Sequence, residues 1–322
     1  MSSIVSKSVE ILSTLSLAFI YSIYGIFLSI LKLYKIGPKR FFNKIERSKP
    51  PRRALDSDYG THEMMKLKTS GITLHYVSKG SSNQPLIVVA IDQRGYGLSS
   101  KLPSVSDYRA EVLAADIADM IQQLGHSCIL VGHDWGGAIC WMAAQIYPHL
   151  IEKLIIMNCP HPQAFRTTKS FAQIRRSWYM FFFQCPVIPE IFIHSDDFSF
   201  LEEAMVEQPM GIVNSNNIEK EDLEVMKYSF AQKGTVKAAI NYYRASFRYR
   251  SKHSVHEPIT VPTLLIWGVL DQALGEELAD ASTNYCHDIR LKKIPNASHW
   301  VQQDVPDLCH KYMDEFLNEE TN

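Results

Sequence analysis

The amino-acid sequence predicts an α/β fold: a mostly parallel sheet with helices on both faces, a helical lid, and a transmembrane helix at the N-terminus. Strand and helix patterns alternate in two blocks, residues 61–159 and 259–322, and this alternation predicts the sheet and its helices. Between the blocks, residues 160–258 are rich in aromatic residues and contain few strand patterns, which indicates a helical insertion over the carboxyl edge of the sheet. Residues 11–31 contain no charge, which predicts the transmembrane helix.

Composition narrows the class of function. The chain has 322 residues, 46% of them hydrophobic, which is enough for a packed core. Its net charge of −1 provides no overall basic field, so nucleic acid is not an expected partner. The six cysteines show no CxxC spacing, which favours free thiols over disulfides or a zinc site and indicates a reducing compartment.

The N-terminal apolar run is longer than the apolar centre of a cleaved signal peptide, so an uncleaved anchor is favoured; a buried core helix is the alternative. The only positive charges before the run are Lys7 and the amino terminus. Many basic residues follow it: Lys32, Lys35, Lys39, Arg40, Lys44, Arg47, Lys49, Arg52 and Arg53. We therefore expect an anchor over residues 1–36, a basic linker over residues 37–60, and a catalytic domain on the cytosolic side of the endoplasmic reticulum membrane. A glycosylation sequon begins at Asn296, and it would face the lumen if the anchor had the opposite orientation.

The elements of the first block follow one another with short connections. Two strand patterns joined at Ser70-Gly71 predict an antiparallel hairpin that opens the sheet. The expected elements are strands at 64–69, 72–78, 86–92, 127–131 and 153–158, with helices at 107–124 and 136–147. In the second block we expect strands at 263–267 and 289–294, a helix near Glu276, and a final helix from about Pro306.

A candidate nucleophile lies between the strand at 127–131 and the following helix. The sequence there is Val-Gly-His-Asp-Trp-Gly-Gly, and its glycines permit the sharp turn of a nucleophile elbow, with Asp134 where many hydrolases carry serine. No GxSxG motif occurs in the chain, which disfavours a serine esterase or lipase. Taken alone, Asp134 is equally well interpreted as an ordinary helix N-cap.

Two later residues complete a catalytic order. Asp271 follows the strand at 263–267, and His299 precedes the last helix, so the chain order is Asp, Asp, His. We expect His299 to activate water as a general base and Asp271 to hold the imidazole tautomer. The other eleven histidines, including His133, are interpreted as structural.

These motifs, together with Asp-Gln-Arg-Gly-Tyr-Gly at 92–97 and Ser-His-Trp at 298–300, resemble those of α/β-hydrolase-fold epoxide hydrolases. With the N-terminal anchor included, the chain is most similar to the membrane-anchored epoxide hydrolase 3 and 4 group. The resemblance implies an α/β-hydrolase fold, a small lipophilic epoxide as substrate, an aspartyl ester intermediate on Asp134, and no metal or organic cofactor. It also implies two lid tyrosines that protonate the epoxide oxygen. By position these are Tyr179 and Tyr243, with Tyr242 open as a competitor for the second role.

The chain departs from the family in one segment. A His-Gly-x-Pro loop normally precedes the motif at 92–97 and supplies an oxyanion donor, but here the chain runs from Pro85 to Asp92 without it. A missing strand and helix with their loops amount to about 25 residues. His161-Pro162 is no substitute, because it follows a different strand. The amide of Trp135 is then the expected oxyanion donor.

Two alternatives to an active epoxide hydrolase stay open at this point. A haloalkane dehalogenase also uses an aspartate nucleophile but needs halide-binding donors instead of lid phenols. A catalytically inactive, membrane-bound splice variant is the other alternative, since the departure removes an oxyanion donor and a central strand.

Overall fold

The strands of the chain form two sheets. They are β1 Thr61–Lys66, β2 Thr73–Lys79, β3 Val88–Ile91, β4 Cys128–His133, β5 Ile151–Met157, β6 Thr263–Gly268 and β7 Ile289–Ile294. An antiparallel sheet has the order β1-β2-β3, and a parallel sheet has the order β4-β5-β6-β7. The computed structural model describes residues 2–80, 88–125, 127–168, 170–249, 251 and 257–319, and for residues 2–11 the backbone alone.

The helices of the α/β core are α2 Ala110–Leu124, α3 Trp135–Ile146, α10 Glu277–Ser282, α11 Val301–Asp304 and α12 Pro306–Asn318. The N-terminal helix is α1 Ser2–Phe41. Residues 160–258, hereafter the lid, contain α4 Pro162–Thr167, α5 Phe171–Arg176, α6 Trp178–Phe182, α7 Ile188–Val206, α8 Lys220–Ala231 and α9 Thr235–Arg248. The predicted α/β fold with a helical insertion is thus confirmed.

The parallel sheet is buried on both faces. Alternate side chains of a strand point to opposite faces, and in β6 Leu265 and Trp267 join one apolar cluster while Leu264 and Ile266 join another. The first cluster includes residues of α3 and α10, and the second includes residues of α11 and α12. Because all six residues of β6 are buried, the strand is a continuous apolar run, as expected of a parallel strand covered by helices.

Between β3 and β4 the sheet is interrupted. The predicted single sheet is divided there, since β3 pairs with β2, β4 pairs with β5, and no pairing joins β3 to β4 among the described residues. Val88 on β3 is 55% exposed and Val131 on β4 is 47% exposed, although β-branched residues at this place in a sheet are normally covered. The exposure of these two side chains and the missing pairing are consistent with the absence of a strand between β3 and β4 that the sequence resemblance to the family implies.

Several predicted boundaries differ from the observed ones for local reasons. The helix predicted at 107–124 is divided, because Ser104 and Asp107 form a capping box around a separate 3-10 turn, and α2 begins only after the extended residue Arg109. Leu86 and Ile87 of the strand predicted at 86–92 lie outside the described residues.

Helix α1 has the length and composition of a membrane anchor: from Leu12 to Phe41 it contains an 18-residue stretch with a mean hydropathy of 1.9. It bends at Gly37, whose φ of 76° is non-helical, and continues to Phe41, so its last turn lies in the stretch expected to be a linker. Ion pairs connect that stretch to the lid: Arg40 with Asp196, Arg47 with Asp197 and Glu224, and Arg53 with Glu219 and Asp222. Part of the basic cluster therefore binds acidic lid residues.

Candidate active site

Asp134 lies on a sharp turn between β4 and α3. Its φ of 48° and ψ of −122° are strained for a residue with a side chain, as expected of an exposed nucleophile. A Cβ on Gly132 would come within 2.7 Å of the Gly136 carbonyl oxygen, and one on Gly137 within 2.6 Å of Cys159 Cβ, so both positions require glycine. Although Asp134 occupies the N-cap position of α3, its side chain makes no capping bond, and its carboxylate is directed elsewhere.

The carboxylate of Asp134 points at His299. Oδ1 of Asp134 lies 3.2 Å from Nε2 of His299, and Nδ1 of the same imidazole lies 2.7 Å from Oδ2 of Asp271. The turn after β6 carries Asp271, and the loop after β7 carries His299, so the carboxyl ends of neighbouring strands bring the three residues together. The chain order predicted from sequence thus corresponds to a contiguous row of side chains.

Asp271 is fixed by groups that orient both of its oxygens. Oδ1 accepts bonds from the amides of Ala273 at 2.7 Å and Leu274 at 2.8 Å. Oδ2 accepts a 2.8 Å bond from Asn158 Nδ2, and Asn158 Oδ1 accepts from the Gly268 amide. Asn158 has a positive φ of 38° and is fully buried. Sequence reasoning missed this residue; its place at the carboxyl end of β5, beside β6, is the signal that indicates it.

The charges of the row are coupled. Burial acts to lower the pKa of His299, but the negative charge of Asp271 and the hydrogen bonds to Asp134 and Asp271 outweigh it and raise that pKa to about 10. Burial acts to raise the pKa of Asp134, but the hydrogen bond and charge of His299 outweigh it and lower that pKa. The resting site therefore holds an imidazolium between two carboxylates, and Asp134 is ionised as a nucleophile requires.

His133 supports the catalytic imidazole from the side. Its ring lies 4.8 Å from that of His299, and its Nε2–H donates a 2.8 Å bond to the His299 backbone carbonyl. Burial and the positive charge of His299 lower the pKa of His133 to about 4, so it is neutral at physiological pH. The general interpretation of His133 as a packing residue missed this contact with the loop that carries the base.

Two phenols from the lid approach the same region. The rings of Tyr179 and Tyr243 lie 5.8 Å apart at 80°, and Tyr243 stands perpendicular to Trp135 at 5.0 Å. The pKa of Tyr179 is raised by burial and by the nearby charges of Asp134 and Asp271. That of Tyr243 is raised by burial, by Tyr179 and by the charge of Asp134. Both phenols are therefore protonated and lie within the electrostatic reach of Asp134.

Tyr242, the competitor for the second phenol, is engaged elsewhere. Its hydroxyl donates a 2.6 Å bond to the backbone carbonyl of Arg94, and its ring packs against Tyr96 and Tyr108. Tyr96 is a further phenol, partly buried, whose pKa is raised by desolvation and by the charge of Asp134; the sequence analysis included it only as part of the 92–97 motif. The hydroxyl of Tyr242 thus holds the 92–97 motif against the lid.

Two groups among the described residues lie close to the place where an ester carbonyl on Asp134 would develop charge. Trp135 opens α3 directly after Asp134, and its amide is one of the groups that lower the pKa of Asp134. Nearby, Gln93 Nε2 lies 3.6 Å from the Cβ position of Gly136. His161 does not contribute, because its Nδ1 accepts the Gln163 amide at the start of α4 and its ring stacks on Tyr285.

Comparisons with known proteins show the family of the chain. Residues 87–306 match the family model described as alpha/beta hydrolase fold. Epoxide hydrolase 1 of Caenorhabditis elegans is 39% identical over 315 residues, covering 88% of this chain and 76% of that protein. Epoxide hydrolase 4 of Mus musculus is 36% identical over 321 residues, covering 90% of this chain and 89% of that protein.

A solved structure is also similar: an epoxide hydrolase from Bacillus megaterium, in complex with an inhibitor, has a TM-score of 0.70 and 29% identity, covering 80% of this chain and 100% of that one. The alignment with the mouse protein extends over 321 positions yet uses 90% of this chain, so the relative has residues where this chain has none. That is expected of a chain that lacks one segment of its family. The chain belongs to the α/β-hydrolase fold family and, within it, to the epoxide hydrolases.

Proposed function

We propose that this epoxide hydrolase works in two steps through an ester on Asp134. The observation that carries the proposal is the row Asp134–His299–Asp271 together with the two protonated phenols of Tyr179 and Tyr243. In the first step a carboxylate oxygen of Asp134 attacks an epoxide carbon, the carbon–oxygen bond of the ring breaks, and the oxygen takes a proton from a phenol.

Ester formation prepares the second step. It removes the negative charge of Asp134, which is one of the influences that raise the pKa of His299, so the imidazole becomes easier to deprotonate. The imidazolium gives its proton to the phenolate left by the first step, and neutral His299 then takes a proton from water as the hydroxide attacks the ester carbonyl carbon. The tetrahedral oxyanion collapses, the departing alkoxide takes the remaining hydroxyl proton, and the diol and the free carboxylate of Asp134 are formed. Asp271 stabilises the imidazolium formed, which is the resting state of the site. The amide of Trp135 supports the oxyanion.

The substrate class follows from the surroundings of the site. Aromatic side chains enclose the phenols, including Trp135, Phe183 and Trp178, so the site favours a lipophilic epoxide. Diol formation from an aryl epoxide, measured by chromatography, tests the proposal. Asp134→Asn should abolish diol formation, and chloride release from a chloroalkane without diol formation would favour a dehalogenase instead.

We also propose that α1 anchors the protein in the endoplasmic reticulum membrane, with residues 37–60 as a connecting segment and with the core, residues 61–159 and 259–322, and its lid in the cytosol. The exposed basic residues Lys35 and Lys39 after the apolar run support this orientation. In sealed microsomes, added protease should digest the hydrolase domain without detergent. Protection of the domain, or a glycan on Asn296, would contradict the orientation.

A further inference from the structure

The apolar helix α1 docks on the lid through its second half. Tyr21 stacks on Phe181 at 5.6 Å, and Tyr24 meets Trp178 edge-on at 5.5 Å. At Gly25 the helix approaches Phe182 so closely that a Cβ would overlap the ring. Small residues at a helix interface allow such close approach. The contact continues to Lys32, whose Nζ donates a 2.7 Å bond to Ser199 Oγ on α7.

This contact limits how far the lid can lie from a bilayer. The docked part, from Tyr21 to Lys32, is about 17 Å long at 1.5 Å per residue. The charge-free run at 11–31 includes nearly all of it. A hydrocarbon core is about 30 Å thick, so a helix that places this run within the membrane brings the attached lid residues to the bilayer as well.

The opposite face of the docked part remains apolar and uncovered. Phe19, Ile23, Phe27 and Ile30 recur at helical spacing, and each is more than half exposed. Val187 and Ile191, at the start of α7, are 62% and 38% exposed. The lid thus extends the apolar surface of the anchor.

Basic residues border this apolar surface. The stripe on α1 is followed by Lys35 and Lys39, both exposed, near the end of the helix. A contiguous apolar patch bordered by basic side chains fits a bilayer with anionic headgroups, where hydrocarbon covers the patch and phosphates meet the lysines. A water-exposed patch of this kind on a monomer would be unfavourable.

We propose that the lid surface at the start of α7, around Val187 and Ile191, lies in the lipid bilayer beside α1, so that the enzyme contacts the membrane through its lid as well as its anchor. The inference rests on the proposed membrane anchorage. It brings the proton donors close to lipid, because Trp178 touches both Tyr24 of α1 and the ring of Tyr179. An epoxide dissolved in the membrane then meets the side of the domain that carries the phenols.

Photo-crosslinking tests the proposal on the full chain. Benzoylphenylalanine is placed singly at Phe27 on α1, at Ile191 on the lid, and at Lys311 on α12 as the matched control on the far core helix, in vesicles of phosphatidylcholine and phosphatidylserine. We expect lipid adducts by mass spectrometry at Phe27 and Ile191 and none at Lys311. Adducts at Phe27 without any at Ile191 would overturn the lid contact while leaving the anchor intact. Absence of adducts at both would overturn the anchor as well.

A second readout avoids the unnatural side chain. Lipids brominated along the acyl chain quench tryptophans that lie within the bilayer, and Trp178 on α6 is partly exposed where α1 meets the lid. The wild-type chain should be quenched more than Trp178→Phe in the same vesicles. Equal quenching of the two proteins would place α6 away from lipid and contradict the proposal.

Discussion

The assignment of the second lid phenol gives a sharp test, because Tyr242 and Tyr243 both pack against Trp135 but the hydroxyl of Tyr242 is bonded to a backbone carbonyl. Tyr243 stands against Trp135 and Tyr179 within reach of the Asp134 charge. Tyr242 instead donates its hydroxyl to the buried Arg94 carbonyl at 2.6 Å. Removing one oxygen atom from either residue should therefore affect different properties of the protein.

For Tyr243→Phe we expect slower ester formation with little change in stability. A positioned proton donor contributes roughly 10²- to 10⁴-fold in rate. Because Tyr179 remains as a second donor, the loss should be near the lower figure, about 10²-fold. For Tyr242→Phe we expect the reverse: ester formation is retained, and unfolding becomes easier by about 1–3 kcal/mol since a buried carbonyl loses its partner.

Rapid mixing with excess aryl epoxide, quenching and intact-protein mass spectrometry measure ester formation, and urea unfolding measures stability. Wild type and the Tyr179→Phe variant serve as references, the latter expected to resemble Tyr243→Phe. If Tyr242→Phe slows ester formation as much as Tyr243→Phe does, the contact geometry does not assign the donor. Unchanged ester formation in both Tyr179→Phe and Tyr243→Phe would make these residues packing groups.

The row of catalytic side chains leads to three more expected outcomes. His299→Gln should still form the ester but not hydrolyse it, so that a single equivalent of substrate is consumed; repeated turnover would remove His299 as the base. Since the pKa of His299 is raised from 6.5 to about 10 in the folded chain, its stabilising effect is complete below pH 6.5 and decreases as pH rises toward 10. Between pH 6.5 and 9, below the ordinary thiol pKa of 9.0, the unfolding free energy of wild type measured in urea should fall, whereas that of His299→Gln should not. Parallel pH profiles of the two proteins would contradict the coupling. Asn158→Ala should slow ester hydrolysis more than ester formation. It should also lower the unfolding free energy by about 1–3 kcal/mol, because the buried Gly268 amide loses its acceptor. Equal slowing of both steps would count against a role of Asn158 in positioning Asp271.

Local patterns in the sequence were sufficient for much of the fold and site. Turn glycines and an aspartate between strand and helix identified Asp134, and residues that follow parallel strands identified Asp271 and His299, since such strand ends converge in space. The strand predicted at 289–294 matches β7.

Other features depend on contacts between distant segments, which periodicity does not encode. Asn158 and His133 form hydrogen bonds to residues more than a hundred positions away in the sequence. Tyr242 and Tyr243 are neighbours in sequence, and the position of the hydroxyl group distinguishes them. The basic residues after the apolar run were interpreted through membrane topology, yet Arg40 and Arg47 bind Asp196 and Asp197 of the lid. Net charge alone does not distinguish a residue that faces phosphate from one that faces a carboxylate.

The time course of the covalent ester tests the central claim most directly. In the proposed mechanism, epoxide opening uses Asp134 and the lid phenols, whereas hydrolysis passes through an oxyanion that only the amide of Trp135 would support, because the family's His-Gly-x-Pro loop is missing from the sequence. Loss of one such donor typically slows a reaction by about 10²–10³-fold. Intact-protein mass spectrometry after mixing with a reactive aryl epoxide should therefore show an accumulated adduct of the substrate's mass, located on Asp134 and absent from Asp134→Asn. Multiple turnovers without any accumulated adduct would contradict the account.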